Sequence, residues 1–202
     1  MPAAKEFILP SQDVILASQS PRRRALLKKI VSRFRVVPSG LDEEKSRSPD
    51  PVTFALAAAA AKAGDVGEKF PSSLVIAADT LVCLENEIFG KPVSRPEARA
   101  MLEKLSGRRH RVITAVALYK KNDGRLVTGH ETSWVTFKKL NRQDIEEYLD
   151  RDEHLDKAGS YAIQEGGDAL VERLEGDYDN VVGLPVRLLR SLLQEFLSAA
   201  EG

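Results

Sequence analysis

Leu74-Val75-Ile76-Ala77-Ala78 is apolar at every position. A strand open to water on one face alternates apolar and polar residues. An unbroken run marks a strand covered on both faces, as at the centre of an α/β sheet. The run ends at Asp79-Thr80, and an acid just after such a strand sits where open α/β sheets place their ligands. It could equally cap the turn that follows.

A second strand with a polar exit lies near the start of the chain. Val14-Ile15-Leu16-Ala17 stops at Ser18-Gln19-Ser20-Pro21-Arg22-Arg23-Arg24, and a helix-like run from Ala25 to Ile30 follows. Ser20 suits an N-cap and Pro21 the first helical position, because proline's missing N–H would have no intrahelical partner there. Unpaired N–H groups, two hydroxyls and up to three guanidinium groups would then gather at one helix start, which suits a polyphosphate. A surface turn with solvated arginines is the alternative reading.

The rest of the chain keeps an α/β order. Phe34 to Val37 reads as a short strand, and Asp42-Glu43-Glu44 falls in a polar loop. Asp50-Pro51 repeats the cap-and-proline device, opening an alanine-rich helix to about Ala63. Lys62, near its end, could reach a neighbouring site or be solvated. Leu81 to Leu84 and Ile88-Phe89 flank a hairpin turn, left through Gly90-Lys91-Pro92. Ser94 to Glu97 has the spacing of a capping box before a helix. Val112 to Tyr119 and Leu126 to Leu140 are strand-like around Asn122-Asp123-Gly124. Asn141 caps a short helix with Ile145, Tyr148 and Leu149 inside. Leu155 to Gln164 reads as a functional loop or short strand, a last strand begins at Ala169, a turn spans Gly176 to Asn180, and a helix runs from about Pro185 to Leu197. With no repeats or linkers, one domain over residues 1–202 is expected.

Composition narrows the functional classes. The 30 basic and 30 acidic residues cancel, so no global field draws the chain to nucleic acid or anionic lipid. The three histidines are far apart and lack zinc-ligand spacing. No apolar stretch approaches the ~20 residues of a membrane span. A single cysteine, Cys83, and the lack of a secretory pattern at the N-terminus fit a cytoplasmic protein.

Six segments in order resemble the Maf family of nucleoside triphosphate pyrophosphatases. They are Ser18 to Arg23, Ala77 to Thr80, Gly90 to Pro92, Leu105 to Gly107 with His110 and Thr114, Asp156 to Gln164, and Val181 to Pro185. The resemblance implies an α/β fold like the inosine-triphosphate pyrophosphatases (Maf/Ham), with an elongated mixed sheet flanked by helices and a cleft between two lobes. It implies hydrolysis of a nucleoside triphosphate to monophosphate and pyrophosphate, and a homodimer.

The residue roles follow from that resemblance together with phosphate chemistry. Ser18, Ser20, Arg22, Arg23, Lys62 and Lys91 would hold the phosphates, arginine through two oxygens at once and lysine as a point charge. Asp79 would orient or deprotonate the attacking water. Glu43 with Asp79 would bind Mg²⁺ or Mn²⁺, the choice of Glu43 over Asp42 or Glu44 coming from the family pattern. Arg22, Thr80 and Gln164 are similar to the subgroup hydrolysing dTTP and UTP, and an amide such as Gln164 suits a pyrimidine edge bearing carbonyl and N–H groups. A 7-methyl-GTP pyrophosphatase of the same family and a non-catalytic, nucleotide-sensing regulator of cell division are the alternatives. Gln19 departs from the family, which usually has a small residue there.

Overall fold

The buried run that begins at Leu74 does not stop at Asp79. It continues through Thr80 to Leu84 as one strand, β3 (Leu74–Leu84), in which only Thr80 is partly exposed. Two strands and an intervening turn were expected from the sequence. The strand persists because the carboxylate of Asp79 finds a buried cationic partner, so this acid need not leave the core to reach water.

The computed structural model describes residues 13–41, 50–151, 155, 157–164 and 166–198. Before β3 come β1 (Val14–Leu16), α1 (Pro21–Leu27), β2 (Arg35–Val36) and α2 (Pro51–Lys69). After it come β4 (Glu87–Phe89), α3 (Arg95–Leu105), β5 (Arg109–Lys120), β6 (Arg125–Phe137), α4 (Arg142–Arg151), β7 (Val171–Glu175), α5 (Tyr178–Val182) and α6 (Val186–Ser198). The seven strands form a mixed sheet in the order β2-β1-β3-β5-β6-β7, with β4 on β3. β1 is parallel to both β2 and β3, whereas β3–β4 and β6–β7 are antiparallel. Since the chain leaves β1 for β2 on one side and later returns to β3 on the other, the strand order reverses at β1. In open α/β sheets such a reversal is where ligands bind.

The described chain divides into two compact units. One comprises Met1–Asp79, Thr114–Glu131 and Gly183–Gly202, the other Thr80–Ile113 and Thr132–Val182. In the first unit α2 obeys its caps: Asp50 accepts the Thr53 N–H at 2.8 Å, and Pro51 opens the helix. It runs past Ala63 to Lys69, six residues beyond the expected end, because neither Gly64 nor Gly67 ends it, and Gly67 serves packing. A β-carbon at Gly67 would lie 2.4 Å from the Tyr119 ring. At the C-terminal end of α6, Arg125 donates to the carbonyls of Glu195 and Phe196 at 2.7 and 2.5 Å, satisfying acceptors that the helix leaves open.

The second unit is built on Leu102, Leu105, Phe137, Ile145, Tyr148, Leu149 and Tyr161, all buried in one cluster. Ser94 caps α3 as expected, but Glu97 returns its carboxylate to the N–H of Val93 rather than to that of Ser94. Arg95 and Arg99 bind Glu146, tying α3 to α4 and holding the Glu146 carboxyl down to about 2. Residues 158–160 form a 3-10 turn rather than a strand. The turn expected over Gly176 to Asn180 winds instead into α5, whose first N–H groups are taken by the side chain of Asp177. Among the described residues no helix is long and apolar enough to cross a membrane.

Candidate active site

Lys62 owes its position to helical spacing. Ala55, Ala59, Lys62, Ala63 and Val66 fall on one face of α2, and all are buried. The alanines let the helix sit close to the sheet, so the lysine stem lies within the core and its head reaches β3. Lys62 Nζ donates to Asp79 Oδ1 at 2.6 Å, and the two residues are only 7% and 5% exposed. The solvated reading of Lys62 is thus excluded. A buried ion pair must recover the cost of removing two charges from water, which rewards short, well-directed contacts such as this.

The polar exit of β1 lies on the adjacent strand. Leu16 pairs in register with Ile76, and the Ala17 N–H donates to the Ile76 carbonyl at 2.8 Å. Ser18 follows at once and is buried. Its hydroxyl accepts the Ser20 N–H at 3.2 Å and Arg23 Nη1 at 3.4 Å. Ser20 caps α1 by accepting the Arg23 N–H at 3.3 Å. Arg23 is also held through Nε by the Gly183 carbonyl at 2.8 Å. Gly183 has φ +118, a backbone that glycine alone adopts readily, and this presents its carbonyl to the guanidinium. The first unit therefore contains two polar sets, Ser18, Ser20 and Arg23 at the exit of β1 and the Lys62–Asp79 pair that involves the neighbouring β3, with Arg22 half-buried next to Arg23 in sequence. Gly183, quoted from sequence only within Val181 to Pro185, had been given no role of its own. Its signal was the Gly-Leu-Pro punctuation before α6.

Thr80, Lys91 and Gln164 belong to the second unit. Thr80 is half-buried on β3, whereas Lys91 and Gln164 are exposed. The turn that leads to Gln164 is joined to the exit from β4, since the Gly159 N–H donates to the Gly90 carbonyl at 3.0 Å. Gly159 has φ +66, and a β-carbon there would press on Val82 at 3.0 Å, so two independent demands select glycine. Lys157, which opens this segment, is buried and was not singled out from sequence.

His110, part of the resemblance, has a different character. It is fully buried, its Nε2 is 2.8 Å from the Tyr161 hydroxyl, and its ring meets those of Phe137 and Tyr161 edge to face. Burial depresses its pKa to about 4, against an opposing effect of the Arg108 backbone, and burial pushes the Tyr161 phenol up. Both groups stay neutral near pH 7. Their contacts lock three aromatic rings together in the core.

Glu43 lies outside the described residues. Among the described residues no group of three or more His, Cys, Asp and Glu could hold a metal by itself. The donor chemistry nonetheless fits a hard divalent cation. Mg²⁺ keeps several waters and takes only one or two carboxylates together with substrate phosphate oxygens, and Asp79 supplies a carboxylate of that kind.

A family model described as Maf-like protein matches residues 13–196. The dTTP/UTP pyrophosphatase of Pyrococcus furiosus is 44% identical over 181 residues, which cover 90% of this chain and 94% of that one. Its namesake from Akkermansia muciniphila is 48% identical over 178 residues, covering 86% and 91%. Among solved structures, the Ham1 protein of Staphylococcus aureus matches with a TM-score of 0.53 at 15% identity, over 91% of this chain and 99% of that one. That likeness extends to the fold. The match over residues 13–196 takes in both units and the Lys62–Asp79 pair, and by it the chain belongs to the Maf family.

Proposed function

We propose that the chain is a nucleoside triphosphate pyrophosphatase that hydrolyses dTTP and UTP, and modified pyrimidine triphosphates of the same edge chemistry, to the monophosphate and pyrophosphate. The observation that carries the mechanism is the buried Asp79 carboxylate, gripped at one oxygen by Lys62 and carried by β3, the strand beside β1 where the order reverses. The relatives named dTTP/UTP pyrophosphatase support the substrate.

The reaction adds water across the anhydride bond between the α and β phosphates. The water oxygen bonds to phosphorus, the bridging P–O bond breaks, and pyrophosphate leaves with its electron pair. Asp79 orients the water and accepts its proton, while Lys62 fixes which carboxylate oxygen faces the reaction. Ser18, Ser20, Arg22, Arg23 and Lys91 hold the triphosphate, the two serines through their hydroxyls and the three cations by neutralising charge as it accumulates on the leaving group. Asp79 and Glu43 would hold Mg²⁺ or Mn²⁺, whose chemistry when bound is to neutralise phosphate charge and to lower the proton affinity of a coordinated water. Thr80 and Gln164 select the base, the amide of Gln164 donating to a ring carbonyl and accepting from a ring N–H. Residues 1–202 act as one catalytic domain, as a homodimer in the cytoplasm.

The test is turnover of dTTP, UTP, CTP, GTP and 7-methyl-GTP with Mg²⁺ or Mn²⁺, with pyrophosphate and orthophosphate measured separately. Pyrophosphate from dTTP and UTP is expected. Orthophosphate release overturns the mechanism, and preference for 7-methyl-GTP overturns the substrate assignment. Sedimentation at micromolar concentration checks the dimer.

A further inference from the structure

The segment from Lys157 to Gln164 has an irregular backbone, yet most of it is buried. Its single 3-10 turn contains two successive left-handed residues, Gly159 and Ser160, both at φ +66, and such backbone is disfavoured for serine. Neither a helix nor a ladder of strand bonds keeps it in place. Side chains do so, together with a backbone bond from Gly159 to Gly90. Ser160 Oγ lies 3.1 Å from Met101 Sδ, and Tyr161 meets His110.

Two anchors converge on Ala162. Its N–H donates to the phenol oxygen of Tyr148 at 3.0 Å, and its carbonyl packs so closely on Gly167 that a β-carbon there would lie 2.0 Å away. Tyr148 and Ala162 are 4% and 8% exposed, and Gln164, two residues on, is exposed. Tyr148 sits on α4 two residues after Glu146, the acid that Arg95 and Arg99 tie down, so the phenol is carried by a fixed support. Phenylalanine would fill the same apolar space. A hydroxyl in such a cluster is costly unless it is used, and here it satisfies a buried backbone N–H.

We infer that Tyr148 is a positioning residue for base selection: by accepting the Ala162 N–H it fixes the backbone that delivers Gln164 to the pyrimidine edge. The inference rests on the reading of Gln164 as the base-selecting amide. Tyr148 acts through Gln164 and touches no substrate.

Steady-state kinetics of Tyr148→Phe, Gln164→Ala and the double variant, each with dTTP and CTP, test it. Tyr148→Phe strands the Ala162 N–H and is expected to reduce the preference for dTTP over CTP about tenfold, through KM for dTTP, with kcat changed by less than about threefold. The double variant is expected to be no less selective than Gln164→Ala, because both changes act through one side chain. A purely structural tyrosine would lower both substrates alike, and that result overturns the inference, as do losses of selectivity that multiply in the double variant. If selectivity changes in Gln164→Ala but not in Tyr148→Phe, the positioning role fails alone. If it is unchanged in Gln164→Ala, the base-selecting role fails and the positioning role with it. Should Tyr148→Phe not fold, hydrogen exchange in the unaltered protein decides: the Ala162 amide is expected to be protected, and exchange at the rate of an unstructured amide overturns the inference.

Discussion

Each unit buries a polar pair between two ionisable side chains, and these two pairs are opposites. In the first unit Lys62 and Asp79 are both ionic groups, 2.6 Å apart, drawn from a helix and from the middle of a strand. In the second, His110 and Tyr161 are 2.8 Å apart and held neutral by burial. A neutral pair satisfies hydrogen bonds at modest cost and fixes aromatic rings. A charged pair costs more desolvation, and its retention inside a core is explained where the charge is used. The proposed chemistry therefore falls on the first pair, while the second fixes aromatic rings in the core of its unit.

The largest expected effect breaks the first pair chemically while sparing its geometry. Asp79→Asn keeps an Oδ1 acceptor for Lys62 but cannot take a proton from water. Turnover is expected to fall about 10²- to 10⁴-fold, with nucleotide binding by calorimetry largely preserved. Full activity in that variant would remove Asp79 from the mechanism.

Lys62→Met makes the complementary break. It leaves the Asp79 carboxylate buried without its counter-charge, and a loss of about 3–5 kcal/mol is expected in urea denaturation. The double variant Lys62→Met, Asp79→Leu should recover part of that loss and have no turnover, separating what the pair does for stability from what it does for catalysis.

Acid titration sharpens the contrast from the second unit. Burial lowers the His110 pKa from 6.5 to about 4. Between those values the unfolded chain binds the proton and the folded one does not, so stability falls as pH drops through that window and is unaffected by this group below it. The loss is about 3 kcal/mol. His110→Gln, whose amide can still meet the Tyr161 hydroxyl, should lack this part of the pH dependence. Its turnover near pH 7 should stay close to that of the unaltered protein. A steep loss of kcat there would mean that His110 takes part in the chemistry after all.

The two pairs also differ in how far they were legible beforehand. Asp79 stood out because one acid interrupts an apolar run, and the caps Ser20 and Asp50 were plain from Ser-Pro and Asp-Pro. That Asp79 lies within a strand rather than after it could not be read, because its partner comes from a helix 17 residues earlier. Yet the partner left a trace. The positions Ala55, Ala59, Lys62 and Val66 are spaced by four, three and four, which puts the lysine on the buried face of α2. The role of Gly183 was hidden because it depends on a carbonyl offered to Arg23, 160 residues away in sequence. The anchoring of Ala162 by Tyr148 was equally hidden, since it is a tertiary contact to a segment with no periodicity of its own.

The smallest effect asks whether the functional demand on α2 stops at its buried face. Gly64 and Gly67 are both inside the helix, and glycine there costs stability through backbone entropy. A β-carbon at Gly64 would meet nothing within 4 Å, whereas at Gly67 it would strike the Tyr119 ring. Gly64→Ala should therefore raise stability by about 0.5–1 kcal/mol in urea denaturation. Gly67→Ala should lower it, because the ring must move. If Lys62 alone carries function on this helix, Gly64→Ala leaves kcat and KM unchanged. A stabilised variant with reduced turnover would instead show that the functional demand on α2 extends two residues beyond Lys62.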